Sequence, residues 1–353
     1  MTDESPLETA TPCDEILTRT DNGVGFLVLN RPKAINSLTH TMVTTMHAVL
    51  AEWEHDDDIH TVVVEGAGER GLCAGGDIVA IYHSIRADGG SESRQFWYDE
   101  YVLNHYIARY PKPYIALMDG IVMGGGVGVG VHGSSRIVTD TSKIAMPEVG
   151  IGFAPDVGGT YYLARMPGRL GLHAALTGAP FAGSDAIAIG FADHYVPHTD
   201  LDDFTETVVS DGLEAALDRH AVAPPHSNLV AQQNWIDECY AGETVADIVA
   251  ALRGHDAGPA NDAANLIATR SPTSLAVALE SVRRAGSLTL EGVLQQEYRV
   301  SCGTLRHPDL EEGIRAQVID KDRSPKWSPA QIPAVTAADV EDFFAPVEND
   351  LTF

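Results

Sequence analysis

Six glycines fall within eleven residues in Met123-Gly-Gly-Gly-Val-Gly-Val-Gly-Val-His-Gly133, with Val127, Val129 and Val131 set between them. Three β-branched apolar residues call for burial, and glycines at their sides let other backbone come within contact distance. The run reads as a closely packed buried helix begun by the glycines, around which the rest of the chain must be arranged. Its first free N–H groups point at whatever occupies the preceding loop, and its dipole favours negative charge developing there. Gly128-x-Gly130-x-x-Gly133 has the spacing of a dinucleotide fingerprint. It falls inside the helix, however, and no acid follows at the expected distance after a second strand, so the nucleotide reading is set aside.

Two more glycine-rich loops follow strand-like runs, Cys73-Ala-Gly-Gly-Asp77 and Pro155-Asp-Val-Gly-Gly159. Each alone is read most simply as a tight turn. Three together point to backbone N–H groups brought close to a ligand without a Cβ in the way.

The first third alternates short apolar runs with helical spacing. Gly25 to Leu29, Thr61 to Glu65 and Pro113 to Met118 read as strands; Leu38, Met42, Met46, Val49, Leu50 and Trp53 mark a helix with Ser37 as its cap. Polar helical sequence runs from about Asp77 to Arg109. Strands separated by helical lengths predict an α/β fold. Beyond about Asp200 the apolar positions, such as Val245, Ile248, Val249 and Leu252, recur at helical spacing only. His220 to Ser227, with Pro224 and Pro225, reads as a linker. The expected organisation is a core over residues 16–220 carrying the site and a helical C-terminal region over 228–329. Acidic, loosely ordered extensions are expected at 1–15 and 330–353.

Composition narrows the function classes. Fifty Asp and Glu against 23 Lys and Arg leave a net charge of −27, which excludes the cationic surface a nucleic-acid binder needs. The longest apolar stretch, Ile121 to Val131, is too short to span a bilayer, so no membrane partner is expected. The acidic start MTDESPLETATPCDE has neither the apolar core of a secretory signal nor an Arg-rich amphipathic pattern, and a cytoplasmic location is the expectation. Cys13, Cys73, Cys239 and Cys302 are far apart with no Cys-x-x-Cys pair, and the 14 histidines show no ligand spacing. Reduced thiols and no protein-held metal are expected.

Glu148 and Asp156 stand eight residues apart in an otherwise apolar, Gly/Pro-punctuated stretch. Desolvation there would raise a carboxyl pKa and fit it for proton transfer or nucleophilic work. Solvated loop acids are the alternative. No Gly-x-Ser-x-Gly elbow offers a serine nucleophile instead.

Taken together, Ala74-Gly75-Gly76-Asp77, Gly124-Gly125-Gly126 and Pro147-Glu148 resemble the signature of the crotonase (enoyl-CoA hydratase/isomerase) superfamily. Four longer segments, Met123 to Gly133, Ala145 to Gly159, Ser271-Pro-Thr-Ser-Leu275 and Ile319 to Trp327, resemble its hydroxyacyl-CoA hydrolase branch. The resemblance spans about residues 16–329. It implies a crotonase-like spiral of ββα units with a helical C-terminal region, and an acyl-CoA substrate. Gly76 and Gly125 would form an oxyanion hole, whose donors contribute about 3 kcal/mol each. Hydratases of the family carry a second glutamate where this chain has Gly128, which favours hydrolysis over addition of water. The implied reaction is cleavage of a short hydroxyacyl-CoA thioester, first among them 3-hydroxyisobutyryl-CoA, as in valine breakdown. Glu148 and Asp156 would be catalytic and Glu100 a substrate contact. CoA enters as part of the substrate and no cofactor is implied. Arg31, Lys33, Lys321, Arg323 and Lys326 are basic exceptions that could meet its phosphates, or simply be solvated. Assembly into trimers or multiples of them is a further implication. The alternatives are an enoyl-CoA hydratase or isomerase, and a non-catalytic acyl-CoA-binding protein.

Overall fold

The computed structural model describes residues 14–353; Cys13 and the N-terminal extension up to that point lie outside the described residues. Among the described residues nine strands form two sheets. They are β1 (Ile16–Asp21), β2 (Val24–Leu29), β3 (Thr61–Gly66), β4 (Tyr114–Met118), β5 (Ile121–Met123), β6 (Ser135–Val138), β7 (Lys143–Ala145), β8 (Phe181–Ala182) and β9 (His194–Tyr195). The larger sheet has the order β1-β2-β3-β4-β6-β9 and the smaller β5-β7-β8. Asn22 and Gly23, both at positive φ, turn β1 back on β2 as an antiparallel hairpin. The pairs from β2 to β9 are parallel. Parallel strands need cover on both faces. Accordingly every residue of β4 is buried.

The main core packs on one face of this sheet and continues into the helical C-terminal region, taking residues from Ile16 to Leu351. Phe204 and Val208, from a helix over Leu201–Asp211, cover Phe26, Val63 and Ile115 on the other. Residues 221–226 are coil and mostly exposed, yet the core on either side of them is shared.

Helix α1 (His40–Glu54) buries Met42, Met46, Val49, Leu50 and Trp53, the stripe its spacing predicts. Its cap is Thr39, whose hydroxyl accepts from Met42 N, rather than Ser37, which is engaged by Arg31. The polar stretch forms two helices, α2 (Ile78–Asp88) and α3 (Ser91–Ala108), divided at Gly89 and Gly90. The glycine-valine run forms helix α4 (Gly125–Val131), with all seven residues buried.

The tail after Pro329 departs from the loose extension expected of it. It forms a helix over Ala337–Phe343 and buries Phe343, Phe344 and Leu351. Its acidic and Ala-rich composition hides the Phe343-Phe344 pair and Leu351, which find a place on the core only in three dimensions. Among the described residues no helix is long and apolar enough to cross a membrane.

Candidate active site

The two sheets meet at the glycine loops. Cys73 pairs with Val122 of β5 as an isolated parallel bridge, with Cys73 N donating to Ile121 O and Met123 N to Cys73 O. The loop over 73–77 is thereby laid beside the start of α4. Leu38 then takes both neighbours of Gly76: its N–H donates to Gly75 O and its carbonyl accepts from Asp77 N. Gly76 N is left over. A Cβ placed on Gly125 would lie 3.3 Å from Gly76 N. Neither the Gly76 nor the Gly125 N–H donates to any acceptor among the described residues. Gly124 makes the turn into α4 at φ +49, which only glycine adopts without strain.

Both glycines line a cleft of about 920 Å³ that also exposes Glu100, Glu148 and Asp156 on its wall. All five residues selected from the sequence thus share one cavity. Glu148 opens a short turn over Glu148–Ile151 after Pro147, Glu100 projects from α3, and Asp156 sits in the loop that follows. Their relative exposures are 6%, 2% and 6%, so the solvated alternative for the two loop acids is excluded. The Cβ position of Gly124 is 3.0 Å from Glu148 Oε1, and that of Gly125 is 2.6 Å from Glu100 Oε1. Carboxylate oxygens of Glu148 and Glu100 therefore lie at the turn into α4, where the Gly125 amide is free. Glu100 Oε1 and Glu148 Oε2 are buried without a hydrogen-bond partner.

Burial pushes the Glu148 carboxyl well above its usual range, and the neighbouring charge of Asp156 pushes it further. Glu100 is raised by the same two causes in the same order. Asp156 is raised by burial to about 7, against the pull of the Tyr101 hydroxyl. Tyr101 donates to Asp156 Oδ2 at 2.7 Å and is itself bonded to Ser301 Oγ at 2.7 Å. Three acids that cannot all ionise together hold protons near neutrality, so one can act as base or nucleophile while another donates.

Gly128 lies on the turn of α4 next to this cluster. A Cβ there would stand 2.7 Å from Val157 Cβ and 2.8 Å from Asn104 Nδ2. The space for a side chain at 128 is filled by the residue that follows Asp156. Absence of a second glutamate and presence of the Asp156 turn are thus one steric arrangement.

Of the basic candidates, Arg31 lines the cleft but is paired with Glu15 and Asp77. Lys33, Lys321, Arg323 and Lys326 are exposed and do not line it. Arg270 does. Its guanidinium donates to Thr177 O, and sequence spacing carried no sign of it. Tyr101 and Ser301 were missed for the same reason: Tyr101 reaches Asp156 across 55 residues of chain, and Ser301 reaches Tyr101 across 200. Among the described residues no group of His, Cys, Asp or Glu is arranged to hold a metal ion.

Two unclaimed amides, one in the 73–77 loop and one at the start of α4, line the same cleft as three buried acids and define a protein that can stabilise negative charge on a carbonyl oxygen. The enoyl-CoA hydratase/isomerase family model matches residues 24–344, and the chain belongs to that family. It is 39% identical over 350 residues to the mitochondrial 3-hydroxyisobutyryl-CoA hydrolase of Danio rerio, covering 96% of this chain and 91% of that protein. The human protein of the same name is 36% identical over 352 residues, with the same coverage. Among solved structures, one described as a carnitinyl-CoA dehydratase from Mycobacterium thermoresistibile matches with a TM-score of 0.94 and 65% identity. The match covers 97% of this chain and 99% of that one. An enoyl-CoA hydratase from Rhodobacter sphaeroides matches with a TM-score of 0.91 and 40% identity, over 96% and 100% of the two chains. The crotonase-like fold read from the motifs is the fold of the chain.

Proposed function

We propose that this protein hydrolyses a short hydroxyacyl-CoA thioester, 3-hydroxyisobutyryl-CoA before others, to the free hydroxy acid and CoA. The observation that carries this reading is the trio Glu148, Asp156 and Glu100 around the free Gly76 and Gly125 amides, with position 128 closed to a further acid. The names of the curated relatives support the same reaction.

In this scheme the thioester oxygen accepts from Gly76 N–H and Gly125 N–H, and the α4 dipole adds to their field. Ionised Glu148 attacks the carbonyl carbon, or takes a proton from a water that does so. The C–S bond breaks as the new C–O bond forms, and the thiolate takes a proton held in the acid cluster. By the direct route, water then opens the acyl-glutamyl anhydride and returns the carboxylate. Glu100 and Asp156 hydrogen-bond the substrate hydroxyl and the attacking water. An acyl group without the hydroxyl leaves those buried groups unpaired and is discriminated against. CoA is half of the substrate, so the scheme calls on no separate cofactor.

The dehydratase named for the 65% identical structure is the competing reading. It would form an enoyl-CoA with the thioester intact. Assays of 3-hydroxyisobutyryl-CoA, crotonyl-CoA and carnitinyl-CoA side by side, read for free thiol and for enoyl absorbance, separate the two. Thiol release fastest on the first substrate is expected; enoyl product without thiol would overturn the hydrolase reading.

Gly125→Ala is expected to lower kcat for thiol release at least 100-fold, with little change in melting temperature. The added methyl crowds Glu100 Oε1 and stands 3.3 Å from Gly76 N, in the space between the two donors. Activity within threefold of wild type would remove Gly125 from the oxyanion hole.

A further inference from the structure

Val157 is the β-branched residue beside Asp156, and its backbone is left-handed, at φ +54. Such a conformation persists only where surrounding groups over-determine it. Two buried side chains do so. His132, at the C-terminal end of α4, presents Nε2 to Val157 O at 2.8 Å. Burial lowers the His132 pKa to about 4, so the ring is neutral and the nitrogen facing a carbonyl is the one that carries hydrogen. Glu297, 1% exposed, accepts from Gly158 N at 2.6 Å through Oε2. Its Oε1 accepts from Thr160 N at 3.0 Å and from Thr160 Oγ1 at 2.6 Å.

Glu297 belongs to the helix over Leu290–Thr304, which also carries Ser301. Residues four apart share a helix face. From that face Glu297 grips the backbone just after Asp156, while Ser301 holds Tyr101 and, through it, the Asp156 carboxylate. Neither Glu297 nor His132 lines the cleft, so neither touches substrate.

We infer that Glu297 and His132 are positioning residues that hold Val157 in its left-handed backbone and thereby aim Asp156 at the bound thioester. His132 ties the turn to the oxyanion-hole helix and Glu297 ties it to the C-terminal region, so donor and acid keep a fixed separation. The inference rests on the hydrolase reading, since it assigns Asp156 a part in turnover.

Glu297→Gln keeps the shape and one acceptor but meets Gly158 N–H with either a donor or a mismatched oxygen. Its kcat for the best thioester substrate is expected to fall 10- to 100-fold with KM within threefold. Glycine adopts the left-handed conformation unaided, so adding Val157→Gly to Glu297→Gln is expected to restore at least fivefold of the lost kcat. A residue that merely stabilised the fold would lower the melting temperature, leave kcat per folded molecule unchanged and show no such rescue; that result overturns the inference. Should Glu297→Gln not fold, Thr160→Val removes one donor only and is expected to lower kcat three- to tenfold at constant KM; an unchanged kcat there overturns it equally. If wild type releases no thiol from any thioester, the hydrolase reading itself fails. If wild type turns over and the variants match it, only the positioning role falls.

Discussion

Glu148→Gln is expected to abolish thiol release, by about a thousandfold or more, and at the same time to make the protein more stable. The carboxyl is 6% exposed and Oε2 has no hydrogen-bond partner. Burial, then the charges of Asp156, Glu297 and Glu100, hold its pKa well above the ordinary carboxyl range. In the folded protein it therefore keeps a proton that the unfolded chain has already lost. Where the folded state binds more protons than the unfolded one, stability falls as pH rises. The penalty begins above the unfolded carboxyl value and grows up to the folded one. Asp156, raised to about 7, acts in the same sense. Forcing it to ionise inside the fold costs on the order of 4 kcal/mol. A neutral amide at position 148 removes one member of this cluster, with an expected gain of about 2 kcal/mol, seen as a melting temperature higher by a few degrees. The gain should be larger at pH 8 than at pH 5.5, because the penalty grows as pH rises away from the unfolded carboxyl value. A variant less stable than wild type at pH 8 would show that the carboxyl is not held against a desolvation cost.

Introducing a glutamate at Gly128 is expected to destroy the site rather than to add a hydratase function. The Cβ alone meets Val157 Cβ at 2.7 Å and Asn104 Nδ2 at 2.8 Å. Val157 Cβ is joined directly to backbone and cannot swing aside. Its backbone is fixed by His132 and the Glu297 carboxylate. Even Gly128→Ala is therefore expected to cost about 1–3 kcal/mol, read as a lower denaturation midpoint, and to lower kcat at least tenfold by displacing the Asp156 turn. Gly128→Glu should fold poorly and hydrate crotonyl-CoA no faster than wild type does. An alanine variant as stable and as active as wild type would break the link between the small residue at 128 and the acid turn.

The legible parts of this structure are those in which spacing and burial coincide. The stripe from Met42 to Trp53 is a helix face, and Val62, Val63 and Val64 are a buried strand. Gly125 to Val131 is a helix because packing against Cys73, Met118 and Val157 leaves room for little else. Glu148 and Asp156 could be picked out because an acid in an apolar stretch is expensive to bury. What escaped the reading was long-range pairing. Gly158 is bonded to Glu297 across 139 residues, and no periodicity encodes that distance. Thr39 rather than Ser37 caps α1 because Arg31 claims Ser37, a competition visible only once the β2 loop is placed. The docked tail shows the same limit, since one Phe pair and a lone Leu make no pattern until the core beneath them exists.

The position of Glu297 and Ser301 so late in the chain bears on synthesis. A ribosome that has translated as far as the coil at 221–226 has already delivered Gly76, Glu100, Gly125, Glu148 and Asp156. At that stage Tyr101 has no Ser301 to bond, and the Gly158 and Thr160 donors have no carboxylate to receive them. The nascent polypeptide carries its chemistry uncocked, and elongation through the final third supplies the catch.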